Sequence, residues 1–313
     1  MRKEAAVICD VLPAACDCSA ASEESLPSDP AWNLDELRIL LEEACHQAVV
    51  RHSLPPLTEM MSYALSGGKC LRGLLLLAVA DSCNGSREQA REAAIAIEML
   101  HAASLVVDDL PALDDTSVRR GTLSLYKRFG EAAAILTAHA LVAAAFEVVS
   151  QIPSKPERVL RITGLLAGAI GARGMALAEL IEPTDSLGSG TDVRELKTGG
   201  LFEAAAHIGA VLAGAEPELT EDLGQLGLRL GTCYQLVDDL RDGYIDHSNR
   251  GGLYKAGRRS WQQCAELLNL VRGRLHTARP IEAWLSWFHE AGAKMVDASE
   301  SGRTAPGVEE DQA

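Results

Sequence analysis

Aromatic side chains are scarce in this chain of 313 residues, because Phe, Trp and Tyr together make up only 4% of it. β-Strands are enriched in aromatic and β-branched residues, whereas the Ala and Leu that dominate this sequence favour helix. Apolar residues account for 47% of the chain and charged residues for 23%, which is enough to bury a substantial core. The composition therefore predicts a helical fold.

Positive charge is also in short supply. Lys and Arg number 29 against 44 Asp and Glu, which gives a formal charge of -15. This excess of negative charge argues against nucleic acid or an anionic membrane as the main partner. An acidic ligand would need local cations, so the positions of the few basic residues matter.

Signals for disulfides, zinc sites and targeting are lacking as well. The eight cysteines are irregularly spaced, and we interpret them as reduced thiols of an intracellular protein. We expect no transmembrane segment, because we judge every apolar run to be too short to span a membrane. The N-terminal region also has no apolar signal-peptide core. We expect residues 1–30 and 298–313 to be disordered and residues 31–297 to form one helical domain.

Apolar residues recur at helical spacing through the middle of the chain. The first helix opens at Asn33, with Glu36 three residues on as in a capping box. Further helices are predicted over residues 56–66, 70–83, 87–109, 130–151, 156–181, 191–214, 219–243, 261–276 and 281–296. No alternating strand pattern stands out, so the sequence predicts one all-α domain with apolar helices around a central space.

Acidic residues cluster at the ends of two of these helices. In LVVDDLPALDD, Pro111 interrupts the helix and lets Asp114 turn back toward Asp108. In YQLVDDLRD, Asp238 and Asp242 lie four apart on one helix face. Such a cluster is most often a solvated helix end, but carboxylates near a helix C-terminus oppose the dipole and need a cation. Two clusters facing one cavity favour Mg²⁺, which takes one or two carboxylates and completes its shell with water and phosphate.

Basic residues recur near these clusters. GGKCLRG sets Lys69 and Arg72 three residues apart, behind two glycines that allow close backbone approach. The other candidates are Arg119 and Arg120 after the first cluster, Lys197 and Thr198 in KTGG, and His101, which shares a helix stripe with Ser104 and Asp108. Each alone is more often a surface charge or, for the histidine, a core residue. Together they supply the local cations that an acidic protein needs to bind phosphate.

These motifs resemble those of the trans-isoprenyl diphosphate synthases, and most closely those of plant geranylgeranyl diphosphate synthases. GGKCLR, EMLHAASLVVDDLPALDD, RRG, FGE, KTGGLFEAA and YQLVDDLRD occur in the order of that family, over about residues 33–245. The resemblance implies the isoprenoid synthase fold, a helical bundle around a deep apolar cavity. It also implies a reaction in which a metal-bound allylic diphosphate loses diphosphate, and isopentenyl diphosphate attacks the resulting cation.

The resemblance further implies roles for individual residues. Isopentenyl diphosphate would be bound by Lys69, Arg72, His101 and Arg120, and the allylic diphosphate by Arg119, Lys197, Thr198 and Gln235. Asp108, Asp114 and Asp238 would be the catalytic, Mg²⁺-binding aspartates. Metal and preorganised cations would stabilise the charge on the leaving diphosphate, and the apolar cavity would keep water from the carbocation.

Several family residues are replaced close to this chemistry. Val107 stands where the family has the histidine of HDD, and Cys70 and Gly73 stand where GGKRxRP has arginine and proline. TLSLYKRFGE replaces KPTNHKVFGE, and AHAL replaces GDAL. GKTAGKD, whose lysines help to hold the allylic diphosphate, gives way to DHSNRGGLYKAGRRSWQQ, where Lys255 and Arg258 are the candidate substitutes.

These departures predict weak activity for the chain alone, because displacing a reacting centre by about 1 Å can reduce a rate on the order of a hundredfold. The resemblance then favours a small subunit of type II, a recruiting protein that joins a catalytic geranylgeranyl diphosphate synthase large subunit in a heterodimer or heterotetramer. The CxxxC motifs frequent in such subunits are incomplete at Cys70 and Cys233. The alternative is a self-sufficient homodimeric synthase, with a terpene cyclase as a more distant one.

Three further expectations come from the resemblance. Ala103 and Ser104, which precede the first aspartate by five and four residues, would leave the cavity floor open to a long product. Small residues at these positions can equally serve close helix packing. Association would use the apolar helices around the first acidic motif, and the expected location is the plastid.

Overall fold

Helices dominate the computed structural model, which describes residues 32–181, 193–242 and 250–288, without the side chains of 239–242 and 250–255. The α-helices are α1 (Leu34–His52), α2 (Leu57–Leu65), α3 (Leu71–Ser82), α4 (Arg87–Asp108), α5 (Leu125–Phe129), α6 (Glu131–Ser150), α7 (Pro156–Ile170), α8 (Met175–Ile181), α9 (Gly200–Ala213), α10 (Pro217–Asp242) and α11 (Arg250–Arg272). A π-helical segment, Glu195–Gly199, leads into α9, and residues 279–288 are also helical. The predicted all-α class is confirmed, whereas the predicted disordered ends, 1–30 and 298–313, lie outside the described residues.

The helix starts follow local chemistry. Asn33 precedes α1 and accepts a hydrogen bond from the N–H of Glu36 at 3.3 Å, as the capping-box pattern predicted. The hydroxyl of Ser86 accepts one from the N–H of Gln89 ahead of α4. Pro156 lies in the first turn of α7, where a missing N–H breaks no helical bond.

Helix α4 lies at the centre of the bundle and is buried on nearly all sides, as its apolar sequence predicted. It packs along α6 and α3, and α9 packs against α3 and α10. Small residues permit close approach, since a Cβ on Gly209 would lie 2.6 Å from the carbonyl oxygen of Leu76. Asp108, the last residue of α4, therefore projects from the middle of the fold.

One element contradicts the expectation that strands are absent. Strands β1 (Val118–Arg119) and β2 (Thr122–Leu123) form an antiparallel hairpin, with Val118 paired to Leu123. The turn consists of Arg120 and Gly121, both with positive φ, of 54° and 78°. Two such residues suit a tight hairpin turn, but strands of two residues are too short to show alternation in the sequence.

Two predicted helix boundaries are also wrong. The helix predicted over 156–181 is interrupted after Ile170, where a Cβ on Gly174 would lie 2.1 Å from the carbonyl oxygen of Ala169. Helix α11 begins at Arg250 rather than near 261. Its first turns are rich in glycine and basic residues, so they lack the apolar periodicity on which the prediction rested.

The expectation that no apolar run reaches membrane-spanning length is wrong as well. Helix α6 (Glu131–Ser150) and the stretch Pro156–Ile181, which comprises α7, α8 and the turn between them, are long and apolar enough by length and composition, with 44% and 28% of their most apolar windows buried in the bundle. Core helices of globular domains pass the same test, so two such helices are a weak indication of membrane insertion. Helix α6 packs along α4 inside the bundle.

Candidate functional site

The chain folds back on the end of α4 immediately after Asp108. The N–H of Asp114 donates to the carbonyl of Asp108 at 3.0 Å, and that of Thr116 donates to the carbonyl of Asp109 at 3.1 Å. Asp115 completes the loop with a left-handed backbone, at φ 46°. The loop thus returns Asp114 to the helix end that carries Asp108.

Charged groups from four parts of the chain surround the Asp108 carboxyl, which is only 8% exposed. Burial, together with the negative charges of Glu179 and Asp114, raises the pKa of Asp108 to about 7, although the positive charges of Lys197 and Arg119 act to lower it. A carboxyl with a pKa raised this far has too little positive charge nearby to offset its burial and the neighbouring carboxylates. The surroundings of Asp108 therefore suit an additional cation.

Two ion pairs flank Asp108. Arg119 donates from Nε and Nη2 to Oδ1 of the buried Asp109, at 3.0 and 2.6 Å. Lys197 lies 3.0 Å from Oε1 and 3.3 Å from Oε2 of Glu179 on α8. The sequence-based reasoning missed Glu179; the available signal was a lone acidic residue within the apolar stretch MALAELI.

The first three residues of the KTGG motif lie in the π-helical segment, an irregularity that often marks functional sites. A Cβ on Gly231 would lie 2.8 Å from the Cα of Gly199, so glycines let this segment approach α10 closely. At this contact, the Thr198 hydroxyl donates to Oε1 of Gln235 at 2.6 Å. Asp238 follows Gln235 by three residues, which places both on one face of α10. The segment thus connects the Asp108 region to the helix that carries Asp238.

A second group of basic residues forms around Arg72. Its guanidinium lies over the Phe202 ring, 4.7 Å from the centroid, and the side chain is 7% exposed. The Nε of Arg72 and the Nδ1 of His101 are buried with no hydrogen-bond partner among the described residues. Burial lowers the pKa of His101, and the positive charges of Arg72 and Arg120 lower it further. These two unpaired nitrogens and the convergent charges suit an anion.

Arg120 fixes the loop that precedes α3. Its Nη1 donates to the carbonyls of Ala64, Leu65 and Ser66, at 3.2, 3.4 and 3.0 Å. A Cβ on Gly68 would lie 3.3 Å from the same nitrogen. Lys69 follows Gly68 with an exposed side chain. The structure thus brings Arg72, His101 and Arg120 together and places Lys69 at the exposed end of the loop.

Glu98 is a buried carboxyl beneath this group that the sequence-based reasoning also missed. Its Oε1 accepts a hydrogen bond from the N–H of Gly73 at 2.8 Å, and its side chain is 5% exposed. Burial raises the pKa of Glu98, while the hydrogen bond to Gly73 and the charge of Arg72 lower it. The replacement of the family's proline by Gly73 provides this donor, because proline has no N–H.

Restoring proline at position 73 is expected to destabilise the fold by about 2–4 kcal/mol. The N–H donor to Glu98 would be lost, and a Cβ would lie 2.6 Å from Cδ2 of Leu41. Urea unfolding of Gly73→Pro against the wild type measures this loss. The matched control is Gly164→Ala on α7, where a Cβ meets nothing within 4 Å and a gain of about 0.5–1 kcal/mol is expected. Equal stability of Gly73→Pro and wild type would contradict the assigned packing.

The cysteines of the described region, Cys45, Cys70, Cys83, Cys233 and Cys264, are free. Cys70, at the position of a family arginine, is buried with a left-handed backbone, at φ 51°. Burial raises the pKa of its thiol, and the charge of Glu98 raises it further. Cys70 is therefore a packed, unreactive thiol. Cys9, Cys16 and Cys18 lie outside the described residues.

The oxygen donors of this site suit a Mg²⁺ ion that also binds water and phosphate, rather than a metal ion held by protein ligands alone. Among the described side chains, no group of three or more His, Cys, Asp or Glu is placed to hold a metal ion by itself. Asp108 and Asp114 nevertheless offer carboxylates at a point where burial and negative charge outweigh the nearby cations Lys197 and Arg119. Mg²⁺ binds through one or two carboxylates and takes its other ligands from water and phosphate. The side chain of Asp242 lies outside those described.

Comparison with known proteins decides the family. A family model for polyprenyl synthetases matches residues 54–257. The chain belongs to the polyprenyl synthetase family. A dimethylallyltranstransferase of Fischerella ambigua is 38% identical over 218 residues, 67% of this chain and 63% of that protein. Geranylgeranyl pyrophosphate synthase 11, chloroplastic, of Arabidopsis thaliana is 36% identical over 65% of this chain and 57% of that protein. The match thus spans less than two thirds of either relative.

Other relatives of this polyprenyl synthetase agree. A geranylgeranyl diphosphate synthase of Rhodobacter capsulatus is 35% identical over 67% of this chain and 73% of that protein. The crystal structure of a Legionella pneumophila geranyltransferase superposes with a TM-score of 0.72 at 25% identity, covering 85% of this chain and 96% of that one. A Zymomonas mobilis FPP/GFPP synthase gives 0.66 at 30% identity, covering 84% and 96%. The predicted isoprenoid synthase fold is confirmed.

Proposed function

We propose that this polyprenyl synthetase is a self-sufficient geranylgeranyl diphosphate synthase, which condenses isopentenyl diphosphate with allylic diphosphates. The observation that carries the proposal is the placing of two distinct cationic groups. Arg119 and Lys197 accompany the carboxyl of Asp108, whereas Arg72 and His101 form a separate buried group next to the single carboxyl of Glu98. A reaction that joins two diphosphate esters needs two such places.

Each group has a defined part in the proposed mechanism. Asp108, Asp114 and Asp238 would hold Mg²⁺, which supplies charge stabilisation for a leaving diphosphate. Arg119, Lys197 and the Thr198–Gln235 pair would orient the allylic diphosphate, and the group around Arg72 would orient isopentenyl diphosphate. The allylic carbon–oxygen bond breaks and releases diphosphate, and the double bond of isopentenyl diphosphate forms the new carbon–carbon bond. The condensed cation then loses a proton to the released diphosphate, which restores a double bond. The apolar wall of α4 excludes water from the cation.

Small side chains near the end of α4 are compatible with a long product. Ala103 is buried, and the Ser104 hydroxyl donates to the carbonyl of His101 at 2.9 Å. This internal hydrogen bond satisfies the only polar group of that side chain, so Ala103 and Ser104 present small and nearly apolar surfaces. A C20 chain is therefore the proposed product.

The small-subunit role predicted from the departures receives less support. The relatives and solved structures named above are synthases or transferases, and four of the five come from bacteria. Of the replaced residues, Val107 is exposed, and Cys70 is buried near Glu98. The recruiting role is favoured by the replacement of the family's GKTAGKD lysines, for which Lys255 and Arg258 are the candidate substitutes. Arg258 is exposed on α11, and the side chain of Lys255 lies outside those described. The plastid location stays a prediction.

The deciding experiment assays the purified chain alone with isopentenyl diphosphate, an allylic diphosphate and Mg²⁺, and repeats the assay after chelation. Product from the chain alone, abolished by chelation, is the expected result. A second arm adds a plant synthase large subunit. Product that appears only in the mixture would favour the small-subunit role instead, and no product in either arm would contradict both.

We propose that a partner subunit, a second copy in the first instance, binds the outer face of α6. Ile135 and Leu136 on this face are 53% and 60% exposed. Ala132, His139 and Ala143 extend the same stripe at helical spacing, and all are exposed. An exposed stripe of apolar and small side chains is typical of a helix that packs on a partner.

Leu136→Glu is expected to raise the dissociation constant of a dimer by about 30-fold or more, because a charge would enter an apolar contact. Size-exclusion chromatography with light scattering across a dilution series measures this change. Leu270→Glu on α11 is the matched control, since Leu270 is 56% exposed but lies on another helix. Equal effects of the two substitutions would argue against α6 as the interface.

A further inference from the structure

We propose that Glu179 restrains Lys197 in the unliganded protein, so that the incoming allylic diphosphate has to displace a carboxylate from its own binding lysine. This autoinhibitory ion pair lowers the affinity of the site for diphosphate. The inference rests on the proposed function, because it assigns Lys197 to the diphosphate.

The geometry of the pair supports restraint. Both carboxylate oxygens of Glu179 lie within 3.3 Å of the Lys197 ammonium. The two side chains are 15% and 21% exposed, so water and salt screen their attraction less than at the surface. Glu179 belongs to α8 and Lys197 to the π-helical segment, which pack directly on each other.

The surrounding charges give the sign of the effect. Glu179 acts on Asp108 as the strongest neighbouring negative charge, and Lys197 acts on Asp108 with the opposite sign. Lys197 thus contacts Glu179 and also acts electrostatically on Asp108. A diphosphate that approaches Lys197 has to compete with Glu179 and is repelled by it. Removing the charge of Glu179 while keeping its shape should therefore strengthen diphosphate binding.

The same segment offers a matched control. Glu195, two residues before Lys197, is hydrogen-bonded to Arg229 on α10. Its side chain is about as exposed as that of Lys197, at 26% against 21%. Glu195→Gln therefore removes an equal charge two residues from Lys197 and leaves the contact between Glu179 and Lys197 in place.

The test is isothermal titration of inorganic pyrophosphate into the full chain, with and without Mg²⁺. Glu179→Gln is expected to bind pyrophosphate about 5- to 10-fold more tightly than wild type in both conditions, and Glu195→Gln less than about 2-fold more tightly. In a Lys197→Met background the Glu179→Gln gain should vanish, because the effect acts through the lysine.

Each contrary outcome has a distinct meaning. If wild type and Glu179→Gln bind pyrophosphate equally, the restraint is overturned while the proposed function stands. If Glu179→Gln weakens binding only with Mg²⁺, Glu179 is a metal ligand and the restraint is again overturned. If wild type binds no pyrophosphate with Mg²⁺ present, both the restraint and the proposed function are overturned.

Discussion

Asp108→Asn is expected to reduce Mg²⁺-dependent condensation by at least about a thousandfold. Asp108 lies where the carboxylates and cations of α4, α8, β1 and the π-helical segment meet. Asparagine keeps the shape of the side chain but removes a charge that the metal requires. The steady-state rate with both substrates saturating is the measurement.

A fold defect would not explain this loss. Burial raises the pKa of Asp108 to about 7, so the metal-free folded state holds its proton more tightly than the unfolded chain. Between the ordinary pKa and the raised one, stability therefore falls as pH rises. Asparagine has no such proton, and at pH 8 without metal Asp108→Asn should unfold at the same or a higher urea concentration than wild type.

The control for Asp108→Asn lies in the same loop. Asp115 has a side chain that is 62% exposed and accepts a hydrogen bond from the Tyr126 hydroxyl. Asparagine tolerates its left-handed backbone and can still accept that bond. Asp115→Asn should therefore retain activity within about threefold of wild type. Comparable losses at the two positions would contradict the assignment of Asp108 to the metal.

Local pattern predicted the parts of this fold that depend on near neighbours. The cap of α1 at Asn33, the burial of α4 and the return of Asp114 after Pro111 each involve residues within a few positions of one another. Periodicity and proline geometry are enough for such features. The family motifs supplied the rest of the candidate residues but not their contacts.

Contacts between residues far apart in the chain could not be predicted from the sequence pattern. A glutamate within a helical pattern looks the same whether it faces solvent, as most do, or a buried partner. Glu98 therefore gave no sign of its bond to Gly73, nor Glu179 of its pairing with Lys197. Both depend on which helices pack together, and packing of the whole bundle decides that.

Arg72→Lys is expected to lower catalytic efficiency toward isopentenyl diphosphate by about a hundredfold, mainly through a higher KM. The Arg72 guanidinium lies over Phe202, and its buried Nε has no partner within the described part of the chain. Lysine keeps the positive charge opposite Glu98 but lacks the planar fork that binds two phosphate oxygens. Folding should change little, whereas Arg72→Leu would leave Glu98 without its cation and cost about 3 kcal/mol.

The selectivity of this loss distinguishes substrate binding from general damage. The residues assigned to the allylic diphosphate lie around Asp108 and Lys197, in a separate part of the site. The KM for the allylic diphosphate should therefore stay within about twofold in Arg72→Lys. Arg38→Lys is the control, because Arg38 pairs with Glu42 and reaches the Gly68 carbonyl of the same loop. It should leave both KM values near wild type. A rise in the allylic KM alone would place Arg72 at the other substrate and contradict the two-group arrangement.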